Sequence, residues 1–190
     1  MNLFILSLCF HECAEWMFDK HISKMIVEAI QMLSTAKTLL DPFPSDYQGK
    51  IYKMSHKNHP VSIWIRTSLE NYLWALDMVE AMHNEWRFRY GHKDTKFHAS
   101  YLIGQQLREH APPADAFPQH GLTPFAQAMP DEYRGPDAVE AYRRYYQSPE
   151  KRKLATWKRR TPPSWYSSSP SAVSDEPSLE THPSPVSVSE

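Results

Sequence analysis

Residues 18–36 read FDKHISKMIVEAIQMLSTA, and at helical spacing they separate into two faces. Positions three and four apart share a side of a helix. Phe18, Ile22, Met25, Ile26, Ala29, Leu33 and Ala36 form an apolar face, and His21, Lys24, Glu28, Gln31 and Thr35 form a polar column. The pattern predicts a first helix over residues 11–40, stopped by DPFPSDYQGK with its two prolines and a glycine. Pro60 suits the first turn of a second helix over 60–90, with Gly91 as its stop. That helix carries Ile63, Trp64, Tyr72, Leu73, Leu76, Val79, Met82 and Trp86, which marks it as the centre of the fold. A third helix is expected over 94–109 and a fourth over 137–146, with a further turn at 151–158. Period-two alternation is nearly absent. The expected fold class is therefore all-α, a compact single domain of about four helices.

The two ends read differently. MNLFILSLCF holds an apolar run of about eight residues without the basic flank or small-residue cleavage site of a signal peptide. It is also too short to span a bilayer. A buried extended segment leading into the first helix is expected, and no membrane partner. From Ser167 onward the chain is Ser, Pro, Thr and acidic residues without periodicity, so residues 167–190 are expected to be a disordered tail behind a domain of 1–166.

Composition adds one point. The net charge of −1 averages two unlike regions, because all 21 Lys and Arg precede Ser167 while Asp175, Glu176, Glu180 and Glu190 follow it. Residues 139–166 interleave Arg143, Arg144, Lys151, Arg152, Lys153, Lys158, Arg159 and Arg160 with Tyr142, Tyr145, Tyr146, Trp157, Trp165 and Tyr166. Such a mixture suits a phosphate backbone with adjacent bases, or equally a solvated helix whose tyrosines pack inward. Cys9 and Cys13 make no disulfide framework, and with ten histidines they give no zinc-finger spacing. Reduced cysteines point to an intracellular protein of cytoplasm or nucleus.

The polar column has a bland and a sharp reading. Lys24 and Glu28 form an i, i+4 pair in the weaker orientation, which needs no function. They also supply an amine and a carboxylate one turn apart. A glycosidic bond breaks when a nucleophile attacks C1′ while a carboxylate stabilises the cationic sugar. An amine nucleophile forms a Schiff base and can go on to cut the strand by elimination. HKNHP brings His56 and His59 together just before the second helix, as a helix cap, a nucleic-acid contact or a pair of metal ligands with His21 and Glu28. Arg66 lies on the second helix, and Arg87 and Arg89 suit its C-terminal dipole. Arg134 sits in the turn MPDEYRGP.

DKHISKMIVE, with His21 seven residues before Glu28, resembles the first helix of the phage-type pyrimidine-dimer DNA glycosylase/lyases. MPDEYRGP and WKRRTPPSWY resemble a late turn and the aromatic, basic C-terminus of that family. The form with HKNHP and GLTPFAQAMPDEYRG is also similar to a group of phage-borne proteins. The resemblance implies an all-helical enzyme that binds duplex DNA, flips a nucleotide and cleaves the glycosidic bond, with no metal and no cofactor. It assigns Glu28 as the essential carboxylate and His21 as a DNA contact. The family's nucleophile is the α-amine of a small residue exposed by removal of Met. Here the chain begins Met-Asn, and about five extra residues before the helix put Ser7 where the family has its terminus. Val27 and Ala29 also flank Glu28 where the family carries basic residues.

The expectation is a DNA N-glycosylase, with AP lyase activity if an amine attacks, acting on damaged or modified pyrimidines in double-stranded DNA as a monomer. Glu28 and Lys24 are the catalytic candidates. Lys20, His21, His56, His59, Arg66, Arg134, Arg143 and Arg144 are the nucleic-acid contacts. Rival readings are an enzyme on free nucleotides or hypermodified bases, a His-ligated metal enzyme, and a non-catalytic DNA-binding module.

Overall fold

In the computed structural model, which describes residues 1–167, Met17 and Phe18 divide what the helical pattern joined. Helix α1 spans Phe10–Trp16 and α2 spans Asp19–Leu40. Both residues at the break are extended and fully buried, so the chain bends to put two apolar side chains inside. The expected second helix is also two, α3 Pro60–Ile65 and α4 Leu69–Tyr90. Ser68 makes the second break by capping Asn71 N–H at 3.1 Å. Pro60 opens α3 and Gly91, at φ 65°, closes α4, as their chemistry requires.

Helix α5 is Ala99–Glu109, shorter at its start than expected because His98 caps Ser100. Short 3-10 turns follow at Ala114–Ala116 and Asp131–Tyr133. Then come α6, Ala138–Tyr146, and α7, Pro149–Arg152. The described residues are all-helical and without strands, but they hold seven α-helices rather than about four. Among them no helix is long and apolar enough to cross a membrane. The tail expected over 167–190 lies almost wholly outside the described residues.

Helix α2 is the axis. It packs on α4, α5 and α3, while α1 lies on α4. Thirteen of its residues are buried, including His21, Glu28, Thr35 and Lys37 from outside the apolar stripe. The polar column is therefore covered at His21, Glu28 and Thr35, while Lys24 stays exposed. Its cover is the N-terminal segment, in which Leu3, Phe4, Ile5 and Leu6 are all at most 2% exposed. The aromatic residues of 139–166 complete the core. Tyr142, Tyr146 and Tyr166 are buried, and Phe18 stacks on Tyr146 at 4.2 Å. Of the two readings of that segment, inward packing holds for these tyrosines.

Arg89 closes the break between α1 and α2. Its guanidinium is fully buried and donates to the carbonyls of Met17 (2.7 Å), Glu15 (2.7 Å) and Ala14 (3.2 Å). These are the carbonyls that a helix end leaves without partners. Glu85 at 2.6 Å and Asp19 at 3.0 Å balance its charge. Arg160 joins them, at 2.7 Å from Glu85 and 3.0 Å from Glu15. Burial alone would raise the Glu85 pKa, but hydrogen bonds from Arg160 and Arg89 outweigh it and the net direction is down.

Candidate active site around Glu28

The N-terminal segment ends where the polar column begins. The backbone N–H of Asn2 donates to Glu28 Oε2 at 2.8 Å, and the Met1 α-amine lies 3.8 Å from the same oxygen. Lys24 Nζ lies 3.3 Å from Oε1. Glu28 is 8% exposed, so a nearly buried carboxylate faces two amines and a peptide N–H.

Asn2 fixes the register of this arrangement. Its side-chain N–H donates to the Ala128 carbonyl at 2.8 Å, and its Oδ1 accepts from Leu3 N–H at 2.8 Å. The Tyr142 hydroxyl lies 3.0 Å from the same Oδ1 and accepts from Ala128 N–H at 3.2 Å. The irregular stretch around Ala126–Ala128 thus sews the first residues to α6. The expectation that Ser7 would occupy the terminal position is corrected. Ser7 hydrogen-bonds Glu12 at 2.6 Å at the head of α1, and Met1 itself reaches Glu28.

His21 is 4% exposed, stacks on Phe4 at 4.6 Å and meets the Tyr146 hydroxyl through Nδ1 at 2.5 Å. Burial, then the charges of Lys151, Lys24 and Lys20, pushes its pKa down to about 3. Burial holds the Tyr146 hydroxyl protonated, so it donates to a neutral imidazole. The structure thus places His21 in the core behind the site rather than on a surface. Lys20 is exposed nearby.

Sequence reasoning missed Lys151 at this site. Its ammonium lies 5.1 Å over the Phe4 ring and 4.8 Å over the Tyr145 ring. Burial and then Lys24 lower its pKa, with Glu150 and Glu28 acting the other way. The signal for Lys151 was only membership of a basic run. The signal for Met1 was stronger, since an apolar run starting at Leu3 must carry the terminus into the core.

On the other side, His59 accepts Val61 N–H through Nδ1 at 3.2 Å and so caps α3. Burial, followed by the N-terminal charge, lowers its pKa. His56 is exposed, with a positive φ of 50°. Among the described residues no group of three or more His, Cys, Asp or Glu is placed to hold a metal ion. The remaining basic candidates have protein partners here. Arg66 donates to Lys57 O, Arg134 to Met129 O and Asp131, Arg143 to Leu6 O and Glu140, and Arg144 to Tyr133 O.

A cavity of roughly 680 Å³ lies elsewhere, lined by Asp19, Trp157, Lys158, Arg160 and Tyr166 among others. Asp19 is nine residues before Glu28, roughly 13 Å along the helix. The charges in that cavity are already used, Asp19 by Arg89 and the Lys158 N–H, Arg160 by Glu85 and Glu15.

None of the curated proteins or solved structures compared with the chain matches it. The sequence profile of the pyrimidine dimer DNA glycosylases matches residues 1–99, about half of the chain, which includes Met1, Lys24, Glu28 and His59. The chain belongs to the pyrimidine dimer DNA glycosylase family.

Proposed function

We propose that the protein is a DNA N-glycosylase with AP lyase activity, acting on damaged or modified pyrimidines in double-stranded DNA. The observation that carries this reading is the pair of amines at a nearly buried carboxylate, Met1 N at 3.8 Å and Lys24 Nζ at 3.3 Å from Glu28. The terminal amine attacks C1′ of an extruded nucleotide and the bond from C1′ to the base nitrogen breaks, the base leaving with the electron pair. Opening of the sugar then breaks the bond from C1′ to the ring oxygen, which takes up a proton, and leaves an imine on the amine nitrogen. Glu28 stabilises the cationic sugar and carries protons during these steps.

Lys24 is the second amine and is the more exposed of the two, at 62% of its side chain. In this reading it and Lys151 supply the positive charge that Val27 and Ala29 do not. Lys20, His56, Arg134, Arg143 and Arg144 grip the phosphates around the site, and His59 and Arg66 hold the loop between them. His21 acts from behind, through Phe4 and Tyr146. The working unit is residues 1–166 as a monomer.

The test is base release and strand nicking on UV-irradiated duplex DNA. Wild type is expected to release the lesion base and nick the strand, and Glu28→Gln is expected to do neither. A wild-type protein that releases no base from irradiated duplex and does not nick abasic-site duplex removes the reading.

A further inference from the structure

A second cavity, of roughly 370 Å³, opens between the turn MPDEYRGP and the junction of α6 with α7. Tyr133 and Tyr145 form its aromatic corner, their rings 5.3 Å apart and tilted by 45°. Ser148, Glu132 and Glu150 bring its polar side chains. The turn that carries Tyr133 is held by its own bonds. Gly135 N–H donates to Gln127 Oε1 at 3.0 Å, Gln127 Nε2 donates back to Gly135 O at 2.6 Å, and Arg144 donates to the Tyr133 carbonyl at 3.0 Å.

Two paths tie this cavity to Glu28. Pro130, on its edge, lies two residues from Ala128, whose carbonyl accepts the Asn2 side chain at 2.8 Å, and Asn2 N–H donates to Glu28. From the other wall, Lys151 lies 4.8 Å over Tyr145 and 5.1 Å over Phe4. Phe4 in turn stacks on His21, on the face of α2 that carries Glu28.

The polar groups limit what the cavity accepts. Glu132 and Glu150 are exposed, and neither carboxylate has an ion pair or hydrogen bond among the described residues. Two unpaired carboxylates repel a phosphate and attract N–H donors. Ser148 is 5% exposed and accepts Lys151 N–H at 3.3 Å, while its own proton has no acceptor among the described residues. It is free to donate to a carbonyl. An aromatic face, a donor for a carbonyl and two acceptors for N–H groups fit a pyrimidine that bears an amine, and the volume is ample for one base.

We propose, on the glycosylase reading above, that this cavity receives the base to be released and that Glu132 and Glu150 select a pyrimidine carrying an amino substituent. The base stacks on Tyr133 and Tyr145. Ser148 donates to a ring carbonyl, and the substituent, as an ammonium, donates to the two carboxylates.

The test uses three duplexes, carrying a single 5-aminomethyluracil, a single 5-hydroxymethyluracil or an abasic site. The two bases match in size and differ in charge. Wild type is expected to release the aminomethyl base about tenfold faster than the hydroxymethyl base. Glu132→Gln combined with Glu150→Gln, at two exposed positions, should remove that preference by slowing the aminomethyl substrate. Tyr133→Ala should slow release of both bases by about tenfold, and Tyr133→Phe should restore it. Calorimetry with the two free nucleosides reads the cavity apart from catalysis, and wild type should bind the aminomethyl nucleoside more tightly. Equal release of the two bases, a preference that survives the double substitution, or nicking of the abasic site with release of neither base overturns the proposal and leaves the glycosylase reading standing. If wild type releases neither base and nicks nothing, that reading falls. Equal binding of the two nucleosides then overturns the cavity's selectivity too, and tighter binding of the aminomethyl nucleoside, lost in the double variant, upholds it.

Discussion

Two buried charge clusters include residues of α2 and have opposite characters. Around Arg89, every charge is matched and almost every donor used, with Glu85, Asp19 and the carbonyls of α1 accepting from it. Around Glu28, a carboxylate is faced by two amines and a peptide N–H, with Lys151 in electrostatic reach, and Lys24 is open to solvent. The first arrangement joins helices and leaves nothing to react. The second has cations in excess, with amines beside a carboxylate. Buried charge alone does not mark a functional site, because structural ion pairs are buried too.

The sharpest break of this contrast is a pair of substitutions. Glu28→Gln should lower base release on irradiated duplex by about a thousandfold while leaving the thermal midpoint close to wild type, because it removes proton and charge work rather than packing. Arg89→Met should do the reverse. It takes the buried guanidinium from Glu85, Asp19 and the carbonyls of Ala14, Glu15 and Met17, and should cost about 3–5 kcal/mol in urea unfolding, with residual activity in whatever fraction folds. If Arg89→Met were as stable as wild type, the closed cluster would not be the structural element described.

Acid should sharpen the contrast further. The unfolded His21 ring takes up a proton near its ordinary value of 6.5, whereas the folded ring resists until about 3. Its contribution to stability is thus present above pH 6.5 and is lost as pH falls toward 3. His83, depressed to about 4 by burial and then Arg87, acts in the same sense, as does Glu85 at lower pH. The urea midpoint should therefore fall between pH 7 and pH 4, and His21→Gln should flatten that dependence. The smallest effect is expected at the periphery. Arg134→Ala should reduce the salt slope of duplex binding by about one unit and weaken binding uniformly across sequences.

Much of this was legible in the chain, though unevenly. The helical class, the capping roles of Pro60 and Gly91 and the buried N-terminal run follow from local chemistry. The breaks at Met17–Phe18 and at Ser68 do not, because they depend on what the flanking side chains meet in three dimensions. Arg89 reads as a dipole complement at a helix end, yet it reaches back to a helix more than 70 residues earlier in the chain. The Lys24–Glu28 pair follows from spacing. The amine of Met1 was hidden by counting residues along the chain. An extended segment that doubles back into the core brings its end to Glu28 whatever the count.

The most direct measurement is borohydride trapping on a duplex with a single abasic site, followed by digestion and mass spectrometry to locate the adduct. The predicted result is a covalent adduct on the α-amine of the first residue in wild type, lost in Glu28→Gln and retained in Lys24→Ala. An adduct on Lys24, or base release with no adduct at all, would contradict the account.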